Sequence, residues 1–391
     1  MRFYSEMAAE DFVMIPTLQT QLALARNRPS GFEYLRLGLA VSIIVWHSVL
    51  VCYGPSAEVY FWSGPPRAVI GCLLPAFFAL SGFLVAGSLE RNSITEFLTL
   101  RITRIFPALA VEVVVSALII GPLLTTVAWR EYFSNQKFVL YFLNMFGDIH
   151  YFLPGVFTEN PTADYVNAQL WTIPVELYCY LALTASSMLG LVGRKAWLFV
   201  LTLGVVLVAS LLPQFGISEA PAFGPNAGLL LASFFFGVSL YLMRSQVAYK
   251  TSLFVLSVFM YIALYMNQNF EYLSALPLTY VIIYLGLQNP ARTMLVRGAD
   301  YSYGIYLYGF PLQQAVCYLF PSYRVWYVNA ASGVALAVIL GYLSWTHVES
   351  RVTRHRKVWV GFASALVAKL KARGTEYLPW RLAVGRAATK S

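Results

Sequence analysis

Apolar segments long enough to cross a lipid bilayer recur along almost the whole chain. An α-helix rises ~1.5 Å per residue, so about 20 apolar residues cross the hydrocarbon core. Runs near this length lie at roughly 33–52, 69–89, 106–126, 169–190, 196–213, 226–243, 252–267, 274–288, 301–320 and 326–346. Lipid offers no hydrogen-bond partner to the backbone, so such runs must be helical. The sequence therefore predicts an all-α integral membrane protein, a helical bundle with about ten transmembrane helices.

The composition supports this class. Only 12% of the 391 residues are charged, whereas soluble domains carry about 25%. The net charge of +9 is not read as a nucleic-acid footprint, because its placement along the chain has a different explanation. We expect the lipid bilayer, and no nucleic acid, as a partner.

Basic residues alternate with the predicted crossings. With the N-terminus inside, twelve Arg and Lys fall in inner loops, ten more in the tail from Arg351 to Lys390, and four in outer loops. This asymmetry follows the positive-inside rule and predicts that both ends are cytoplasmic. The apolar run 138–146 is too short to cross, and counting it would invert the later loops. It is interpreted as re-entrant or interfacial.

This topology divides the chain into three parts. Residues 1–32 form a cytoplasmic N-terminal segment, and residues 33–350 form the membrane domain. The long outer loop 127–168 carries acidic, histidine and aromatic side chains, and long irregular segments in compact proteins are often functional. Residues 351–391 are predicted to form a basic amphipathic tail on the inner leaflet.

The first apolar run contains two ionisable residues, Arg36 and His47. Eleven residues make nearly three helical turns, so both side chains share one face and lie about 16 Å apart along the axis. One interpretation is that Arg36 reaches the headgroups and His47 is a hydrogen-bonded core residue. The other is a polar tunnel, in which Arg36 binds an anion near one end and His47 acts as a base deeper inside.

Two arginines, Arg101 and Arg104, precede the third run. Their spacing places them on one helical face, where two guanidinium groups suit the binding of phosphates. By themselves they are better explained as positive-inside anchors.

Glu176 lies within the fourth run, where a carboxylate needs a partner or a path for water. It is interpreted either as an ion-pair partner of Arg36 or as a group that orients His47. In the second run, Ser81 precedes Gly82, a pair that allows close helix packing. The Ser81 hydroxyl could also donate a hydrogen bond to a ligand.

The ninth run is rich in tyrosine, glycine and glutamine, and contains Tyr303 and Tyr306. Their hydroxyls either line a polar passage or belong to an interfacial aromatic belt. The four cysteines lack the spacing of a metal site, and no metal site is predicted. Cys52 and Cys72 would lie near outer helix ends, where two buried thiols are favoured over a disulfide.

Together these features resemble the membrane acyltransferase-3 family, whose members O-acylate bacterial surface carbohydrates. The resemblance covers about residues 31–350 and rests on the following motifs, in order: Arg36 and His47 with ten residues between them, FFALSGFL around Ser81, Arg101 and Arg104 before IFPAL, LWTIPVE ending at Glu176, and YSYGIYLYGFP. Each motif by itself is weak evidence for the family. Five motifs in this order, on ten predicted membrane spans, are specific evidence.

The resemblance implies an integral O-acyltransferase of the bacterial inner membrane. Acyl-CoA, with acetyl preferred, would be the donor substrate, and no cofactor would be permanently bound. His47 and Glu176 would be catalytic, Arg36, Arg101 and Arg104 would bind acyl-CoA, and the substrate passage would include Ser81, Tyr303 and Tyr306. The acceptor would be a carbohydrate, lipid-linked or exported.

The chain departs from the family pattern at two places. Where many members have a histidine in the motif YLWHxP, this chain has Gly309, so no second catalytic histidine is expected. Where many end a late span with Glu-x-Pro, this chain has Glu349 followed by Ser350 and Arg351.

Two rival classes stay open at this stage. A transporter or flippase would use Arg36, His47 and Glu176 as a substrate or proton path, although no inverted repeat with broken helices is recognised. A membrane scaffold would leave the intramembrane charges unexplained. The sequence does not identify the acceptor glycan, the side of transfer or the oligomeric state.

Overall fold

The computed structural model describes residues 15–215, 224–293, 296 and 301–370. In these ranges the chain is helical, and β-pairing is limited to three isolated bridges. Ten long helices occur among the described residues, and each overlaps one of the predicted apolar runs. The third begins twelve residues before its run, so that it includes Arg101 and Arg104. They are α1 Gly31–Tyr53, α2 Leu73–Arg91, α3 Ile94–Val115, α4 Thr172–Met188, α5 Lys195–Leu211, α6 Ala227–Leu242, α7 Thr251–Tyr265, α8 Ala275–Gly286, α9 Ser302–Leu319 and α10 Trp326–Ser344. The all-α fold of a membrane protein is therefore confirmed.

Four helical stretches are both long and apolar enough to cross a bilayer: Gly31–Tyr53, Arg67–Arg91, Ile94–Leu124 and Trp326–Arg354. The last two are extended past α3 and α10 by π-helical turns, Ser116–Ile120 and Trp345–Glu349. The other six long helices do not meet both criteria. The number of crossings and the cytoplasmic position of both ends stay predictions.

Shorter helices complete the described chain. They are Leu18–Leu24, Pro55–Ser63, Arg67–Gly71, Gly121–Leu124, Trp129–Ser134, Gln136–Tyr141 and Ser350–Arg354, with 3-10 turns at Phe142–Phe146, Ala168–Trp171, Leu212–Phe215, Gln268–Ser274 and Pro321–Tyr323. The run 138–146 thus forms less than two turns of α-helix followed by a 3-10 turn. In the basic tail, residues 356–370 are helical, and residues 371–391, like 1–14, lie outside the described residues.

The start of α3 is encoded locally. The Ser93 hydroxyl accepts a hydrogen bond from the backbone N–H of Glu96, and the Glu96 carboxylate accepts one from the N–H of Ser93 at 2.9 Å. This capping box satisfies two backbone donors at the helix end. The cap sets the register of the helix and so the direction in which the two arginines of α3 point.

The closest helix pair is α2 with α6, and glycine makes it possible. A Cβ atom added to Gly82 would lie 2.0 Å from the carbonyl oxygen of Phe234, and one added to Gly237 would lie 2.1 Å from that of Ala79. The two backbones therefore touch, as small residues allow in membrane helices. The close approach predicted at Ser81 and Gly82 is confirmed for Gly82.

A second group consists of α1, α9 and α10. Gly304 of α9 faces Gly341 of α10, and Gln313 of α9 donates a hydrogen bond of 2.8 Å to the carbonyl oxygen of Ile44 in α1. The same amide donates to Asn329 of α10. Polar contacts of this kind join the three helices through side chains that lipid could not satisfy.

Replacing Gly82 with Ala should destabilise the protein, because the new methyl group collides with the α6 backbone. Overpacking of this kind costs about 1–3 kcal/mol. Thermal unfolding of the detergent-solubilised protein measures the loss. Gly204→Ala in α5 is the matched control, since no atom lies within 4 Å of its added Cβ. Equal melting temperatures for the two variants would contradict the proposed backbone contact.

Candidate active site

One pocket receives side chains from five helices. It encloses about 870 Å³, counting its open mouth. The lining includes seven of the eight residues predicted for the site: Arg36 from α1, Ser81 from α2, Arg101 and Arg104 from α3, Glu176 from α4, and Tyr303 and Tyr306 from α9. Residues separated by as many as 270 positions in sequence thus meet at one place.

The charged side chains of the pocket interact with one another. Arg104 and Glu176 both lie within electrostatic range of the Arg101 guanidinium. Tyr180, one turn after Glu176, donates a hydrogen bond to the Glu176 carboxylate. With Arg36, three guanidinium groups and one carboxylate border the same space, so the pocket favours an anion.

Apolar side chains form the rest of the wall. They come mainly from α2 and include Leu74, Phe77, Phe78, Leu80, Leu84 and Val85. Tyr303 closes another side and donates a hydrogen bond of 3.2 Å to the carbonyl oxygen of Ile105 in α3. A cavity with few polar groups and apolar walls is the usual form of a small-molecule site.

A segment of the long outer loop enters the bundle next to this pocket. Asn167, which is fully buried, donates a hydrogen bond of 2.9 Å to the Glu112 carboxylate of α3 and one of 3.0 Å to the carbonyl oxygen of Leu307. Gln169 also donates to the Leu307 carbonyl oxygen, at 2.9 Å. These hydrogen bonds take the place of water for the polar groups of a non-helical segment that lies inside the bundle. As a result α4 begins inside the bundle, at Thr172.

Tyr306 closes the pocket at the end where this segment enters. Its hydroxyl lies 2.8 Å from the Thr172 hydroxyl and donates to the carbonyl oxygen of Gln169 at 3.1 Å. Its ring packs edge-on against Phe77, with 6.2 Å between the centroids. Three elements, α2, α4 and α9, are therefore held together at this side chain.

His47 is the predicted site residue that the pocket lining does not include. Its ring packs edge-on against Phe310 of α9, with 5.3 Å between centroids. Its Nδ1 atom is buried and has no hydrogen-bond partner among the described residues. Phe310 lies one turn after Tyr306 on α9, so His47 packs about one helical turn beyond the pocket residue Tyr306.

The expected contact between Glu176 and His47 is not present. Thr172 of α4 and Tyr306 of α9 are in contact. Glu176 lies one turn of α4 from Thr172, towards the pocket. Phe310 lies one turn of α9 from Tyr306, in the opposite direction. Two turns correspond to about 12 Å along the axes. The sequence placed both groups at one depth because it assumed that α4 begins at the outer face. Burial of the preceding loop segment moves Glu176 inwards.

Three polar pocket residues were not named as site residues from the sequence: Tyr180, Thr172 and Ser302. Tyr180 could have been found, because residues four apart share a helix face and Glu176 is four positions earlier. Thr172 could not, since its role depends on the depth at which α4 begins. Cys52 and Cys72 are free thiols, as favoured from the sequence.

The chain is similar to known proteins over most of its length. Residues 30–347 match the family model described as an acyltransferase domain, which confirms the resemblance to the acyltransferase-3 family. The chain is similar to an O-acetyl transferase of Shigella phage Sf6, with 27% identity over 347 residues that cover 83% of this chain and 96% of the relative. No solved structure matches the chain.

Removing the Tyr306 hydroxyl should loosen the closed end of the pocket. Tyr306→Phe keeps the ring against Phe77 but leaves the buried Thr172 hydroxyl and Gln169 carbonyl oxygen without this partner, at a cost of about 1–3 kcal/mol. The melting temperature should fall accordingly. Tyr178→Phe, at an exposed tyrosine of α4 (61% exposed), is the control. A loss no larger than that of the control would show that the hydroxyl does not hold the three elements together.

Proposed function

Because the chain belongs to the acyltransferase-3 family of membrane acyltransferases, we propose that it transfers an acyl group, preferably acetyl, from acyl-CoA to a carbohydrate hydroxyl. The observation that carries this proposal is the pocket that brings Arg36, Arg101 and Arg104 together. The name of the phage relative, an O-acetyl transferase, supports acetyl as the group. The acceptor would be a bacterial surface or exported glycan, and the enzyme would lie in the inner membrane as a multi-pass protein.

The pocket has the chemistry that an acyl-CoA requires. The phosphates of CoA are anions, and guanidinium groups bind phosphate through paired hydrogen bonds. Arg101 and Arg104 are one turn apart on α3 and face Arg36 across the pocket. The uncharged pantetheine arm and acyl group suit the apolar wall from α2. Glu176 would then act through Arg101 and Tyr180, by holding the guanidinium in place, rather than on His47.

His47 supplies the base. In its neutral form the imidazole accepts the proton of the sugar hydroxyl as the hydroxyl oxygen attacks the thioester carbonyl. The C–O bond forms, the C–S bond breaks, and the leaving thiolate recovers the proton from the imidazolium. An alternative order has the imidazole accept the acyl group first and pass it to the sugar. Both orders use the same ring and the same two substrates.

The acyl group has to pass Tyr306 to reach His47. The rings of Tyr306 and Phe77 pack edge-on at this end of the pocket, and in this proposal they close the path. We expect donor binding to move one of these side chains, which would keep the thioester from water until the donor is bound. Entry of the donor from the cytoplasm follows from the predicted topology, in which α1, α3 and α9 begin at the inner face.

Replacing His47 with Ala should abolish acyl transfer, because loss of a general base typically costs about 10²- to 10⁴-fold in rate. Transfer of radiolabelled acetyl from acetyl-CoA to surface polysaccharide is measured with purified protein in lipid vesicles. His355→Ala, in the exposed tail, is the matched control and should retain full activity. Near-normal transfer by the His47 variant, at equal protein yield, would remove His47 from the mechanism.

Replacing Arg101 and Arg104 together with Ala should raise the KM for acetyl-CoA, because two phosphate-binding groups are lost. Charge-assisted hydrogen bonds contribute about 1.5–3 kcal/mol each, which predicts an increase of at least about tenfold. The matched control replaces Arg194 and Lys195 at the start of α5, which also belong to a predicted inner loop. If both double variants keep the wild-type KM, the arginines of α3 serve only as topology signals.

A further inference from the structure

Three aromatic rings form a cluster in the long outer loop. The ring centroids of Phe152 and Tyr165 are 5.1 Å apart, those of Tyr151 and Tyr165 are 5.5 Å apart, and those of Tyr151 and Phe152 are 6.1 Å apart. Phe152 and Tyr165 are each 37% exposed. We call these three residues the outer aromatic cluster. Exposed rings that pack on one another present a contiguous apolar surface, and contiguous apolar surfaces mark binding sites more often than isolated exposed rings do.

The backbone holds the outer aromatic cluster in place. Phe152 and Tyr165 form an antiparallel bridge, and the N–H of Val166 donates a hydrogen bond of 2.9 Å to the carbonyl oxygen of Tyr151. The turn before Tyr165 contains Asp164 at a φ of +66°, a conformation that non-glycine residues rarely adopt. Such strain persists only where the surroundings impose it, and it is concentrated at functional sites.

The surroundings of the cluster are polar. The carboxylate of Asp148 lies 3.3 Å from Nε2 of His150, and its side chain is 69% exposed. The Lys137 ammonium lies 5.9 Å from the centre of the Phe152 ring. An interfacial aromatic belt, the competing explanation, places rings among lipid headgroups and tails. The ammonium group beside Phe152 and the exposed carboxylate of Asp148, three residues before Tyr151 in the sequence, favour a ligand with hydroxyl groups.

The cluster is connected to the helices that hold His47. Gln314 of α9, one turn beyond Phe310, donates a hydrogen bond of 2.8 Å to the carbonyl oxygen of Tyr165. The Thr162 hydroxyl donates one of 2.7 Å to the carbonyl oxygen of Leu50, three residues after His47 in α1. One turn of α9, about 6 Å, thus separates the level of Phe310 and His47 from the level at which the loop is attached.

Building on the proposed acyltransferase function, we propose that the outer aromatic cluster binds a pyranose ring of the carbohydrate acceptor. One face of a pyranose presents C–H groups with a small positive charge, and these match the negative face of an aromatic ring. The sugar hydroxyls at the edge of the ring are suited to the carboxylate of Asp148. Tyr165 and Phe152 supply the stacking surface, while Asp148 and His150 supply hydrogen-bond partners.

This assignment separates the two substrates in space. The donor occupies the arginine pocket on one side of Tyr306, and the acceptor enters from the outer loop on the other side, where His47 lies. A sugar in the outer aromatic cluster would direct a hydroxyl of its own ring or of a neighbouring ring towards His47. The acyl group is then the only part of the donor that has to pass Tyr306.

The test uses the full-length protein in lipid vesicles, with radiolabelled acetyl-CoA as donor and surface polysaccharide as acceptor. The polysaccharide is purified from a deletion strain and freed of O-acetyl groups by mild alkali. Tyr165→Leu removes the flat ring and keeps the apolar volume, and it should raise the KM for the polysaccharide about fivefold or more. The KM for acetyl-CoA and the hydrolysis of acetyl-CoA without acceptor should stay within about twofold of wild type, because the donor pocket is unchanged.

Two further variants complete the design. Tyr165→Phe keeps the stacking face and should keep the wild-type KM for the polysaccharide, while Tyr323→Leu, at a tyrosine that is 65% exposed outside the cluster, should behave as wild type. An unchanged polysaccharide KM in both Tyr165→Leu and Phe152→Leu overturns the acceptor site and leaves the acyltransferase function standing. If wild-type protein transfers no acetyl to the polysaccharide, the proposed function fails and this assignment fails with it.

Discussion

Lipid does not solvate charge, and this constraint organises the described structure. Each charged side chain in an apolar helix has to find a partner or a polar cavity inside the bundle. Arg36, Arg101, Arg104 and Glu176 come from three helices that are distant in sequence, and they border one pocket. The helix packing makes this convergence possible, because the glycine contact between α2 and α6 lets other helices surround the apolar wall of α2.

The same constraint acts on the backbone of the outer loop. A non-helical segment can reach the interior only if its polar groups are satisfied there. Asn167 and Gln169 meet this condition by donating to Glu112 and to the carbonyl oxygen of Leu307. Their burial lowers the starting point of α4 and brings Thr172 to Tyr306. His47 packs against Phe310 and is not among the residues that line the arginine pocket, so the two predicted parts of the site lie at different levels of the bundle.

The fold class followed from elementary properties of the sequence. A low content of charge and ten apolar runs leave few alternatives to a helical membrane protein, and all ten runs overlap helices. The short run 138–146 was separated from the crossings by its length and by the distribution of basic residues in the loops, and the capping box at Ser93 and Glu96 is readable as a motif. The side chains that share a helix face, such as Arg101 with Arg104, were also predictable, because helical periodicity is a local property.

Which of the predicted residues are neighbours in space could not be predicted in the same way. The sequence by itself determined which side chains are ionisable or aromatic, on which helix each lies, and which neighbours share a face, since these depend on residue type and on a period of 3.6. Only the tertiary structure decided that Glu176 lies with Arg101 and Tyr180 rather than with His47, and that His47 packs on Phe310, one turn beyond Tyr306. The depth of each side chain depends on where α4 begins, and that is decided by hydrogen bonds between residues more than 100 positions apart, such as Gln169 and Leu307. Such contacts leave no periodic signal in the chain.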